Sequence, residues 1–129
     1  MKRTLALVTV VVDDYDRAIA HYTNDLGFVL LEDTPLGGGK RWVRVAPHAD
    51  DATALLLARA SNEEQRARIG DQTGGRVGFF LHTDDFARDH AAMTARGVQF
   101  LEAPRHEPYA TVAVFRDAYG NQWDLLEPK

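Results

Sequence analysis

Seven side chains able to engage a ligand fall at alternating positions of strand-like segments: Thr9, Trp42, Arg44, Phe80, His82, Gln122 and Asp124. Successive side chains on a strand point to opposite faces, so residues two apart share a surface. Thr9 goes with Leu7 and Val11, while Val8, Val10 and Val12 turn the other way, under the helices. Trp42 and Arg44 stand opposite to Val43 and Val45, which read as core. Phe80, His82, Gln122 and Asp124 share their face with Val112 and Val114. An apolar and aromatic surface with a few polar groups is the usual makeup of a small-molecule site. Trp42 offers a plane on which a flat ligand can stack, or simply fills space. Arg44 can pair with a ligand carboxylate or phosphate, or with Asp124 in a structural ion pair. Asp124 or His82 can act as a general base if a proton must move.

Other chemistries are excluded or find no support. Cysteine is absent, which removes disulfides, zinc thiolate sites and thiol nucleophiles. Of the five histidines, His21 and His90 fall on helices and His48 and His106 in loops, so His82 stands alone on its face. Gly37-Gly38-Gly39-Lys40 invites a phosphate-loop reading, but no helix follows to supply the amide cradle. Asp13-Asp14-Tyr15-Asp16 is explained by helix capping and by acidic residues complementing a helix dipole. Net charge is −4, without the basic patch that nucleic acid or an anionic membrane favours. No apolar run approaches membrane-spanning length and no signal peptide is recognisable, so a cytoplasmic protein is expected.

The elements that must position these residues come in two copies. Val8-Thr9-Val10-Val11-Val12-Asp13-Asp14-Tyr15 answers to Phe79-Phe80-Leu81-His82-Thr83-Asp84-Asp85-Phe86, each running into a helical pattern that ends in glycine. Asp84 follows Asp13 by 71 residues but Gly97 follows Gly27 by 70, so the second helix has lost one residue. In the first copy the pattern predicts a strand over 4–12 and a helix with Ala18, Ile19, Tyr22 and Leu26 inward. Strands over 28–32, 40–45 and 53–58 follow, with a hairpin loop at 35–40. A short helix over 61–69, opened by a Ser61–Glu64 capping box, links the copies. The second copy predicts strand 76–83, helix 85–96 with Phe86 and Met93 inward, strand 98–102, a loop through Pro104 and Pro108, and strands 110–116 and 122–126. The fold class is α+β: two tandem βαβββ modules, about 4–59 and 76–127, joined by a linker helix region at 61–75. Each half is too small to bury its sheet alone, so one domain spanning 1–129 is expected.

The sequence resembles the vicinal oxygen chelate superfamily, which includes glyoxalase I, extradiol dioxygenases, and bleomycin- and fosfomycin-resistance proteins. The likeness is carried by Val12-Asp13-Asp14-Tyr15-Asp16-Arg17-Ala18 with Tyr22 and Leu26-Gly27-Phe28, by Ala95-Arg96-Gly97-Val98, and by Val114-Phe115-Arg116-Asp117 with Gly120-Asn121-Gln122-Trp123-Asp124-Leu125. It implies two modules forming an eight-stranded cleft, and a homodimer. In the enzymes it implies a divalent metal held by His, Glu or Gln on the first and last strands of each module. Those positions here are Leu7, Ala54, Gly78 and Asp124, and their same-face neighbours add only Gln122. A cage of three or four ligands cannot be assembled from that set, so no metal and no other cofactor is expected. The resemblance then implies a glyoxalase/bleomycin-resistance-like protein that binds a small molecule in a hydrophobic cleft, of the antibiotic-sequestering type. The alternative is a metal-dependent glyoxalase-like lyase or isomerase, or a dioxygenase.

Overall fold

The computed structural model describes residues 1–129, and the sequence repeat returns in it as two units, Met1–Gly70 and Asp71–Lys129. In the first, β1 (Leu7–Val12) leads into α1 (Tyr15–Ala20), which continues as a π-helical segment, His21–Asp25. Three strands follow, β2 (Val29–Gly37), β3 (Lys40–Ala46) and β4 (Ala54–Arg59), then the single turn α2 (Glu63–Arg66). The sheet order is β1-β4-β3-β2, with β1 and β4 parallel and the other pairs antiparallel. The second unit repeats the scheme: β5 (Val77–His82), α3 (Phe86–Ala95), β6 (Gln99–Phe100), β7 (Arg105–His106), β8 (Ala110–Arg116) and β9 (Gln122–Pro128). Its order is β5-β9-β8-β6, again with the first and last strands parallel, and β7 adds to β8. The mixed α+β class and the doubled module are as predicted.

Each unit has its own apolar layer on the helix side of its sheet. Val10, Val12, Val43, Val45 and Leu57 are 0% exposed in the first, with Ala18 and Tyr22 of the helix against them. Burying such a side chain contributes roughly 1.5–3 kcal/mol. A surface ion pair is worth about 0–1 kcal/mol, so these residues, not the abundant charge pairs, decide the fold. Val8 departs from expectation: it is 37% exposed although it shares the helix-side parity of Val10. In the second unit Phe79, Trp123 and Phe115 stack in series, with centroid spacings of 4.5 and 5.8 Å.

The lost residue has a structural counterpart. Phe28 N–H donates to the Tyr22 carbonyl, and at the equivalent place Val98 N–H donates to the Met93 carbonyl. The first closure spans one residue more, and the π segment is where it is taken up, its Leu26 N–H bonding back to His21. One inserted residue in an α-helix produces this wider turn. Both helices then stop at glycines of positive φ, Gly27 and Gly97.

Several boundaries differ from expectation. β2 runs to Gly37, because Gly37, Gly38 and Gly39 all have positive φ and close a tight two-residue turn directly onto β3. The capping box moves by one residue: Asn62 caps α2 by accepting from Gln65 N–H, while the Gln65 side chain reaches back to Ser61. α2 is a single turn rather than nine residues. β6 is two residues long, and the expected loop contains β7, so the strands number nine rather than eight. Within the expected Asp13–Asp16 capping run, Asp14 is the residue that caps α1.

Candidate functional site

On the sheet face turned away from α1, register aligns one row of side chains: Thr9 opposite Leu56, Leu56 opposite Arg44, and Arg44 opposite Glu32. Trp42 is in the next row, opposite Thr34, and is partly exposed. Arg44 takes its carboxylate from Glu32, Nε to Oε1 at 2.9 Å. Hydrogen bonds from Arg44 first, and from Thr34, hold the Glu32 carboxyl below its usual range. Glu32 went unrecognised in the sequence. The signal was available: once the turn sits at Gly38-Gly39, Glu32 falls across from Arg44, with bulges on either side absorbing the mismatch.

A recess of about 480 Å³ opens in the same unit. It has a backbone cause. β3 and β4 pair only from Val43 to Val45 against Leu55 to Leu57. Beyond that ladder, Lys40–Trp42 stay on β2 and Ala58–Arg59 stay on β1, so the strands part. Lys40 and Trp42 of β3, Ala58 and Arg59 of β4, Ser61 beyond it and Tyr15 of α1 are among the residues that line it. Two guanidinium groups, those of Arg41 and Arg59, lie over the Tyr15 ring, each 5.1 Å from its centroid. Its hydroxyl oxygen accepts from Arg41 N–H at 3.2 Å.

In the second unit the predicted residues share the face opposite α3. Phe80 pairs with Asp124 and Asp124 with Val114; His82 pairs with Leu126 and Leu126 with Val112; Gln122 lies across from Val77 and Arg116. Phe80 is 63% exposed and His82 is exposed as well. Asp124 is different: its Oδ1 is buried and meets no hydrogen-bond donor. Burial raises its carboxyl above the usual range; Arg105 opposes that rise and Glu102 adds to it. Arg105 is held by Glu102 at 3.0 Å and Glu107 at 3.2 Å, and Glu102 also accepts from Val114 N–H. Arg105 falls within the loop expected through Pro104 and Pro108; β7 instead fixes it across from Val112. His106, expected in a loop, is on that strand too.

Parallel first and last strands in both units, reached through one helix each, are the doubled βαβββ scheme. The sequence profile of the Glyoxalase/Bleomycin resistance protein/Dioxygenase superfamily matches residues 4–125. The chain belongs to this superfamily. An uncharacterized protein of Shewanella frigidimarina (strain NCIMB 400) is 51% identical over 128 residues, covering 98% of this chain and 95% of that protein. The solved structure of UcmS2 is 30% identical with a TM-score of 0.83, covering 98% of each chain. TnmS3, an antibiotic binding protein from Streptomyces sp. CB03234, is 32% identical with a TM-score of 0.78, covering 100% of this chain and 98% of its own.

Superfamily membership raises the question of a metal, and the residues do not fit one. Leu7 and Ala54 lie directly across from each other and neither can ligate. Gly78 sits at the register shift between Val77 and Phe79, and a Cβ there would come within 2.6 Å of Thr73 Cγ2. Asp124 remains, without a second and third donor: no three His, Asp or Glu side chains gather into a group able to hold an ion. No helix is long and apolar enough to cross a membrane.

Proposed function

We propose that this superfamily member is a cytoplasmic, homodimeric binding protein that sequesters a planar or amphiphilic small molecule, of the antibiotic-binding kind, without a metal or other cofactor. The observation that carries the reading is the loss of ligating side chains at Leu7, Ala54 and Gly78, beside a partly exposed Trp42. The likeness to TnmS3 points the same way. Thr9, Trp42, Arg44, Phe80, His82, Gln122 and Asp124 are the residues assigned to ligand contact. Affinity comes from apolar burial and from stacking on Trp42, and the polar groups fix orientation.

Tryptophan emission tests this directly. Trp123 is buried, 3% exposed, between Phe79 and Phe115, so Trp42 is the indole open to direct contact with a bound planar compound. Titration with flat polycyclic antibiotics is expected to quench emission saturably and raise the Tm, and Trp42→Phe is expected to abolish the quench. The enzyme alternative makes the opposite forecast for metal. Near-stoichiometric Mn, Fe, Co, Ni or Zn in protein offered all five, lost in Asp124→Ala, would overturn the metal-free reading.

A further inference from the structure

We propose that the recess where β3 and β4 part is an anion site, selecting ligands that join a planar apolar body to a carboxylate. The inference rests on the small-molecule reading, with which it shares Trp42, and names the ligand class that this recess admits. Three cations, Lys40, Arg41 and Arg59, line the recess and no carboxylate does. With the two carboxylates that Arg41 carries counted, the surplus is one positive charge, and it rests on Lys40 and Arg59. Arg41 is already neutralised, at 2.9 Å from Asp16 and 2.7 Å from Asp33. Lys40 and Arg59 have no acidic partner, so their charge is available to a ligand.

Arg59 is also set in place before any ligand arrives. Its guanidinium lies over the buried Tyr15 ring and spends one N–H on the Gly39 carbonyl at 3.1 Å. A guanidinium carries five N–H donors in a rigid fork, so a bidentate carboxylate contact remains open to it. Gln65 adds a neutral donor. Its Oε1 accepts from both Ser61 N–H and Ser61 Oγ. Because a backbone N–H can only donate, the amide orientation is settled, and Nε2 is left with two N–H groups and no protein acceptor. Trp42, Leu56 and Ala58 supply the apolar part of the lining. The volume is within the range of drug-sized ligand sites, about 300–1,000 Å³.

Three probes of one shape and different charge decide the matter: 1-naphthoate, 1-naphthalenemethanol and 1-naphthylmethylammonium, followed by Trp42 emission and calorimetry. Naphthoate is expected to bind about tenfold more tightly than the alcohol, and the ammonium compound more weakly than either. Arg59→Gln and, independently, Lys40→Gln are each expected to cost naphthoate about five- to tenfold in affinity while changing the alcohol less than twofold. Arg59→Lys should recover part of the loss. Lys40 is in the exposed hairpin, so its variant keeps the test valid if Arg59→Gln loosens Tyr15. If naphthoate does not bind, binds no better than the alcohol, or is indifferent to both variants, the anion site is overturned. Binding of the alcohol that disappears in Trp42→Phe, with no effect of charge, would leave the small-molecule reading standing by itself.

Discussion

Asp124 and Asp117 show how far two carboxylates in one sheet region can differ. Asp117 is buried and fully engaged: it accepts from Tyr119 N–H, Asn121 N–H, the Asn121 amide and Trp123 Nε1, all at 3.0 to 3.1 Å. Asp117→Ala would strand those buried donors, and is expected to cost about 3 kcal/mol or more in urea unfolding. A loss below about 1 kcal/mol would show that water replaces the carboxylate. The turn at 117–121 is legible from its Asp and Gly-Asn residues; the bond from Trp123 is not, although a buried indole N–H always raises the question of its acceptor. Asp124 has the reverse problem, a buried oxygen with no donor and a carboxyl raised by burial. A raised carboxyl favours the protonated form in the folded state. Its contribution is therefore complete below the unfolded value near 3.9 and is lost as pH rises through the folded value. At pH 7 the charge is a net cost. Asp124→Asn is expected to raise the Tm at pH 7 by a few degrees, about 1 kcal/mol, with the advantage shrinking toward pH 4. Melts across that range check it, and a gain independent of pH would assign the effect to packing instead.

At the scale of elements, what a pattern of residue types specifies locally was readable, and what depends on pairing partners was not. Strand alternation correctly separated Val10, Val12, Val43 and Val45 from Thr9, Trp42 and Arg44, because the period of two is a property of the single strand. β7 escaped notice because two residues, Arg105–His106, are too few to carry a period; their strand character comes from β8 alongside. Likewise the recess depends on where the β3–β4 ladder ends, which no local pattern encodes. The one-residue difference between the copies was visible as an offset, and its form, a π segment at His21–Asp25, follows from keeping both Tyr22 and Phe28 buried across an extra residue. This gives a prediction specific to the element. Deleting Asn24, exposed in the π segment, should restore the spacing of the second copy and leave the Tm within a few degrees. Deleting Thr94, exposed in the regular α3, has no surplus residue to absorb the change. It shifts Val98 relative to Met93, and is expected to unfold at least the second unit. Far-UV circular dichroism melts compare them; equal damage from both deletions would refute the offset as the origin of the π turn.

At the scale of the whole molecule, five of the nine exposed large apolar side chains share a placement. Val8 is on β1, Val29, Leu30 and Leu36 on β2, and Phe80 on β5. Each of these is the terminal strand of its own sheet. Terminal strands carry unpaired backbone groups, and soluble proteins ordinarily protect them with charge, proline or a covering partner. β2 does carry Glu32, Asp33 and Pro35, but exposed valine, leucine and phenylalanine also stand on these strands, and those side chains favour burial against another surface over exposure to water. The proposed homodimer supplies such a surface, since a twofold axis presents the same patch to itself. The expected solution mass is twice the 14.4 kDa of the chain. Light scattering coupled to size exclusion at micromolar concentration measures it, and Phe80→Asp and Val8→Lys divide the possibilities by unit. Dissociation by one substitution and not the other, with Tm at high concentration unchanged, assigns the interface to that strand. A mass of one chain for the unmodified protein removes the dimer, and leaves those apolar edges to be explained by ligand or by another macromolecule.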